Sequence, residues 1–261
     1  MSTLHTVGWI KDPEDKRDFK FNFSAAPSNF SPVDLRSQDT PIFNQGNLGS
    51  CTACATTAMV RFVRKKQFAA KAGFLDWKPS VLFTYYNTRL LEGTVNRDNG
   101  AQLRNSLKSV NKYGAVNETK WPYIVSKFKT KPTSSLYTEG LKQQTMVYYS
   151  LATQTVTELK QCLSQGYPFV FGSLLYTPFQ STTVRNTGIV PMPNPRSERM
   201  IGGHAMMCVG WTTHTNGQEY FIVRNSWGNT WGLQGYCLIP VAYLTSRALS
   251  ADFWTIRQQE S

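Results

Sequence analysis

The chain has little histidine and little cysteine. Only His5, His204 and His214 occur among 261 residues, so few side chains can act as a base near neutral pH. The cysteines are Cys51, Cys54, Cys162, Cys208 and Cys237, a sparse and odd set that excludes a disulfide framework. Cys51 and Cys54 form a C-x-x-C, but no second such pair and no histidine at ligand spacing follows, so no metal is expected. Cys208 and Cys237 sit in strand-like runs and read as small core hydrophobes. Acidic residues are also scarce: 16 Asp and Glu stand against 28 Lys and Arg, a net charge of +12. The densest basic clusters, Arg61 to Lys66 and Lys127 to Lys131, are too short for a strand-binding groove. The excess charge reads as a basic surface, and a nucleic-acid partner is not expected. No run approaches the roughly 18 apolar residues of a membrane span, which predicts no membrane partner. Met1 to Lys20 lacks an apolar leader core. With no disulfide framework, that predicts an intracellular product (host cytoplasm or virion if the source is viral). No repeat and no cofactor motif is present, so no cofactor is expected.

The chain does have enough apolar residues, 41%, to bury a core, and its length suits two lobes. Residues 1–31 form a polar preamble with scattered aromatics: Trp9, Phe19, Phe21, Phe23 and Phe30. Those aromatics argue for an ordered segment. From Cys51 to about Phe68, Ala53, Ala55, Ala58, Met59, Phe62 and Val63 predict a long helix, with Ser50 as its N-cap. A second helix is expected over Val81 to Leu91, stopped by Gly93, and a third from about Ala101 to Tyr113, stopped by Gly114. Strands follow. Met146 to Leu151, Tyr167 to Leu175, His204 to Trp211, Tyr220 to Asn225 and Gly235 to Ile239 carry the strand signal. Between the first two, Thr155 and Glu158 have capping-box spacing and open a short helix ending at Gly166. Helices first and strands second indicate an α+β chain.

The chemistry gathers on Gln45-Gly46-Asn47-Leu48-Gly49-Ser50-Cys51, a glycine-punctuated loop running into the first helix. A thiol at a helix start meets unpaired N–H groups and the positive end of the helix dipole, which favour thiolate. Gln45 is a neutral donor six residues upstream, as an oxyanion needs. His204 follows Gly202-Gly203 and opens an apolar run, so its ring can face a cleft while its strand anchors in the core. Asn225, at a strand end, can fix the tautomer of an imidazole, and Trp227 can shield that contact from water.

Three stretches together resemble the papain-like cysteine peptidases. They are Gln45-Gly46-x-x-Gly49-Ser50-Cys51, Gly203-His204-Ala205 with Val209-Gly210, and Asn225-Ser226-Trp227-Gly228-x-x-Trp231-Gly232-x-x-Gly235-Tyr236, in the family's order. The likeness covers residues 32–261. It implies a helical lobe over about 41–140, an antiparallel β-barrel lobe over about 141–261, and a cleft between them. By that resemblance Cys51 is the nucleophile, His204 the general base and acid, and Asn225 the orienting residue. Gln45 and the Cys51 N–H form the oxyanion hole, and Trp227 is the shield. The implied activity is endopeptidase cleavage of protein or peptide substrates through a thiolate–imidazolium pair and a thioester, by a monomer. The alternative is a restrained or silent protein of the same fold that acts by binding.

Departures are informative. Leu48 stands where the family usually has a disulfide-bonded cysteine, and Thr52 replaces the usual aromatic. Pro240 to Arg257 resembles the compact bacterial and viral branch. Residues 1–31 are too short for the long helical propeptide, and are expected to be a short pro-segment, cut near Phe30-Ser31-Pro32, or a permanent strap. Gly100, Gln102 and Leu103 resemble one wall of the pocket for the second residue before the scissile bond. Gly203 and Ala205 flank it, which predicts a roomy apolar pocket.

Overall fold

The computed structural model describes residues 5–23, 30–215 and 217–260. Helices fill the first half: α1 (Cys51–Phe68), α2 (Val81–Glu92), α3 (Leu103–Lys112) and α4 (Ser134–Gly140). Ala53, Ala55 and Ala58 are buried along α1, where small side chains let it lie close to its neighbours. The expected Ser50 cap is not made: the Ser50 hydroxyl sits 2.7 Å from the Tyr123 hydroxyl and does not bond the helix N-terminus. Gly93 ends α2 in the left-handed region, at φ 69°.

The second half is an antiparallel sheet with short helices. Its strands are β1 (Val33–Asp34), β2 (Thr145–Ser150), β3 (Phe169–Tyr176), β4 (Met200–Thr213), β5 (Glu219–Arg224), β6 (Tyr236–Pro240) and β7 (Ser250–Gln259). They run in the order β2-β7-β3-β4-β5-β6, with β1 on β4. The helices are α5 (Val156–Ser164), α6 (Thr182–Thr187) and α7 (Val241–Thr245). At α5 the capping box is half formed. Thr155 accepts from the Glu158 N–H, but the Glu158 carboxylate accepts from the Thr153 and Gln154 N–H groups instead. Phe169, Phe171, Phe221 and Phe253 pack ring against ring in the core of this half, Phe171 and Phe253 stacked and Phe169 edge-on to Phe221. No helix among the described residues is long and apolar enough to cross a membrane.

Two differences from the sequence expectation bear on the site. β4 begins at Met200, so His204 lies inside a strand of 14 residues, opposite Ser173 of β3, rather than opening it. Gly202 and Gly203, which read as a break, are strand residues against which the N-terminal segment lies. The region from Pro240 onward contains α7 and β7, which its sequence did not resolve.

Residues 5–23 are an ordered strap. Trp9 bridges Ala101 in parallel, and Lys20 bridges Ser150 at the sheet edge. Arg104 of α3 clamps the middle: its guanidinium donates to Asp18 at 2.6 and 2.9 Å and to the Pro13 carbonyl at 2.6 Å. Ser31 and Pro32, at the expected cut, are exposed, and residues 24–29 just before it lie outside the described residues.

Candidate active site

Cys51 is the first residue of α1 and is fully buried. Its Sγ accepts the Ala205 N–H at 3.4 Å, which sets the sulfur beside the residue after His204. His204 Nε2 lies 2.8 Å from Asn225 Oδ1. Nδ1 is buried with no hydrogen-bond partner among the described residues. The Trp227 ring lies 4.9 Å from the His204 ring and covers it. Trp231 and Phe179 back Trp227 at 5.2 and 5.5 Å.

The glutamine loop is tied to the asparagine stretch through the backbone. Gln45 N–H donates to the Ser226 carbonyl at 2.9 Å, and Gly228 N–H to Phe43 at 3.0 Å. The Ser226 hydroxyl donates to Gln45 Oε1 at 2.6 Å, which fixes the amide with its NH2 group facing the cleft. Tyr123 holds the same loop from below, donating to the Gln45 carbonyl at 2.9 Å. Where the family's disulfide is absent, Asp98 takes its place as a brace. It accepts the Gly49 N–H at 3.0 Å and the Tyr85 hydroxyl at 2.6 Å. All five cysteines are free. Cys54 is buried four residues into α1, its thiol pushed up to about 12 by burial.

The strap runs through this site. Gln45 Nε2 donates to the Thr6 carbonyl at 3.1 Å, so a peptide oxygen already sits on the expected oxyanion donor. His5 stacks on Trp227, ring centres 4.4 Å apart, and its carbonyl accepts from Gln180 at 2.9 Å. Gly8 passes directly over the nucleophile loop, where a Cβ would lie 2.2 Å from the Gly49 oxygen. Gly8 and Trp9 N–H groups donate to the Gly203 carbonyl at 2.9 and 2.8 Å. The Ala101 N–H donates to the Gly8 carbonyl at 2.8 Å, and Ile10 N–H to Ala101 at 3.0 Å.

Burial shifts both reacting groups. Desolvation pushes the Cys51 thiol up to about 11, against the pull of the N–H groups of Ala205, Gly8, Thr52 and Cys51 itself. Burial pulls His204 down to about 4; the Asn225 bond opposes this, and His5 adds to it. Both shifts favour the uncharged forms while the site is covered.

The other expected positions can be placed. Gly100 lies against the strap, its would-be Cβ 2.0 Å from the Gly8 oxygen. Gln102 precedes α3, its N–H on Glu92 and its side-chain oxygen accepting from Asn105. Leu103 and Ala205 are buried in the apolar core. Sequence reading missed Ala101, Ser226, Tyr123, Asp98 and Asp252, whose carboxylate accepts the Trp9 indole N–H at 2.9 Å and the Asp12 N–H at 2.7 Å. Asn-Ser-Trp-Gly contained Ser226, but the hydroxyl's partner lies 181 positions away.

A helix-start cysteine bonded to the residue after a histidine, whose ring in turn meets an asparagine, suits a thiol hydrolase. The profile of the papain family cysteine proteases matches residues 30–245, and the chain belongs to that family. An uncharacterised peptidase C1-like protein of Acanthamoeba polyphaga mimivirus is 36% identical, covering 96% of this chain and 86% of its own length. Xylellain, a cysteine protease from Xylella fastidiosa, superposes with a TM-score of 0.85 at 33% identity, over 97% of this chain and 96% of its own. A digestive procathepsin L 3 of Tenebrio molitor shares the fold, with a TM-score of 0.72 at 19% identity over 93% of this chain and 75% of its own. The chain is thus a papain-like peptide hydrolase.

Proposed function

We propose that this chain cleaves peptide bonds through Cys51, His204 and Asn225, and that the strap over residues 5–23 holds it latent. The carrying observation is the Thr6 carbonyl on Gln45 Nε2, a peptide oxygen placed where a reacting carbonyl would be. With the strap displaced and water readmitted, the proton of Cys51 passes to His204 Nδ1. The thiolate adds to the substrate carbonyl carbon, forming a C–S bond and an oxyanion. Gln45 Nε2 and the Cys51 N–H at the start of α1 donate to that oxygen. His204 returns its proton to the leaving amine, the C–N bond breaks, and a thioester remains. Water, losing a proton to His204, then adds to the thioester carbon; the C–S bond breaks, the Cys51 sulfur takes the proton back from His204, and the carboxylic acid leaves. Asn225 Oδ1, on Nε2, keeps the ring in the tautomer this relay requires. The four polar groups stand together, which argues against a silent scaffold acting only by binding.

The test compares the full chain with one beginning at residue 32, after circular dichroism and a thermal melt establish that both are folded. The shorter chain should turn over a fluorogenic peptide at least about tenfold faster, because the tethered strap competes at high local concentration. An epoxide-type thiol reagent should label Cys51 in the shorter chain, and slowly or not at all after His204→Ala. Equal turnover by two folded chains would remove the latency. No turnover by either, with Cys51 unlabelled, would remove the peptidase reading itself.

A further inference from the structure

Peptide hydrolysis uses Cys51 and leaves the second cysteine of the C-x-x-C without a role. Cys51 and Cys54 stand three residues apart in the first turn of α1. Helical geometry puts their Cα atoms about 5 Å apart, inside the roughly 4.4–6.8 Å that a disulfide spans. Both side chains look onto Ala205. Cys51 Sγ accepts the Ala205 N–H at 3.4 Å, and Cys54 lines, with Ala205, Asn225 and Ser226, a small cavity of about 10 Å³. That slack lets a sulfur change rotamer in an otherwise close-packed core. The remaining cysteines lie elsewhere, Cys162 on α5, Cys208 on β4 and Cys237 on β6.

The two thiols differ in the way a reacting pair must. The N–H groups of Ala205, Thr52 and Cys51 itself pull Cys51 toward thiolate, and none of them leaves with the strap. A thiolate at a helix start is the form that attacks a peroxide. Cys54 sits one turn deeper. Burial first and the charge of Cys51 second hold its proton on. The Ser50 hydroxyl, 4.0 Å from its sulfur, and the positive charges of Lys78 and Arg224 pull the other way. Oxidation of Cys51 to a sulfenic acid removes the thiolate charge, so the second restraint on Cys54 lifts when Cys54 is needed. Packing alone would be served by any small apolar residue at that place.

We propose that Cys54 is a modification site: once the strap leaves, a hydroperoxide oxidises the nucleophile and Cys54 captures it as a reversible disulfide. In the first step the Cys51 thiolate attacks a peroxide oxygen. An S–O bond forms, the O–O bond breaks, and the departing oxygen takes the proton that His204 received from Cys51. In the second step the Cys54 sulfur attacks the Cys51 sulfur. An S–S bond forms, the S–O bond breaks, and the Cys54 proton leaves with the hydroxide as water. Two thiols lose two electrons and one peroxide gains them. The disulfide leaves no nucleophile, so the enzyme is silenced. It also blocks further addition of oxygen, from which a thiol does not return. A dithiol reductant reopens the bond by exchange.

Cys51 must be the reactive thiol for this to hold, as the peptidase reading has it, but no peptide hydrolysis is needed to test it. Trp9→Ala in the full-length chain removes the ring packed on Gly172 and Gly203 and so loosens the strap. An epoxide-type reagent should then label Cys51. Prior exposure to excess hydrogen peroxide should cut that labelling at least about tenfold, and the intact mass should fall by the two hydrogens of a disulfide. The loss should map to the peptide that holds Cys51 and Cys54. Dithiothreitol should bring back roughly nine-tenths of the labelling. Adding Cys54→Ala should let peroxide add oxygen to Cys51 instead, and the labelling recovered should drop at least about fivefold. Cys54→Ser, which keeps the size of the side chain, should behave as the alanine variant does. Oxygen on Cys51 with no link to Cys54, a link to another cysteine, equal recovery in the Cys54 variants, or a Cys51 that stays reduced would overturn the assignment. If the disulfide forms but no reduced chain turns over a fluorogenic peptide, the peptidase reading fails and the modification site stands.

Discussion

Two carboxyl groups hold the strap, and their protonation sets how firmly. Asp12, on the strap, is raised from 3.8 to about 7, by burial first and by the charge of Asp252 second, with Arg104 and the Trp254 N–H pulling the other way. Asp252 is raised to about 6 by burial, opposed by its bonds from Asp12 and Trp9 and by the charges of Lys11 and Arg104. A docked pKa above the ordinary one means that the docked state keeps a proton which the released state gives up. Docking is therefore tightest in acid and weakens as the pH climbs through the docked values. Hydrogen exchange at the Gly8, Trp9 and Ile10 amides should show this. Protection, corrected for intrinsic rates, should fall between about pH 4 and about pH 7, and flat or rising protection would contradict it. At this scale the sequence was legible where spacing carries the signal. Cys51, His204 and Asn225 were found because each sits in its own dense local pattern. Asp252 carries no such pattern. Its importance comes from a slipped register in β7 and from Trp9, 243 positions away, and neither leaves a mark on neighbouring residues.

The nucleophile loop is the element on which the site depends, and hydrogen bonds hold it where the family's disulfide is missing. Leu48 is buried, so the position where the family usually has a disulfide-bonded cysteine holds a packing residue. The bracing falls to Asp98, Tyr85, Tyr123 and Ser226. Asp98→Ala strands the Gly49 N–H and the Tyr85 hydroxyl, and should cost about 1–3 kcal/mol of stability. Asp98→Asn, which keeps one acceptor oxygen, should cost less. Denaturant melts and kcat measured on both variants check this. Full stability and full turnover in Asp98→Ala would mean that the loop keeps its shape without the carboxylate. The three long helices were legible from apolar periodicity and glycine stops. The later elements were less so: α7 has five residues, and β7 ends in polar side chains, so neither carries a period long enough to read.

Across the whole molecule the strap joins both lobes, touching α3, the nucleophile loop, β4, β7 and the edge at Ser150. On the proposed latency it is an inhibitor on a leash. Its local concentration is fixed by the covalent link through residues 24–29, so dilution does nothing to an uncut chain. A single cut at the exposed Ser31-Pro32 would change the order of the equilibrium from unimolecular to bimolecular. From then on, occupancy would follow total concentration. Specific activity of the cut mixture should climb on serial dilution, while that of the uncut chain stays constant; progress curves at several concentrations would distinguish the two. Scission then acts as a licence rather than a trigger. The moment of activation would be set by how far the enzyme can spread, so one molecule stays quiet where it is crowded and works where it is sparse.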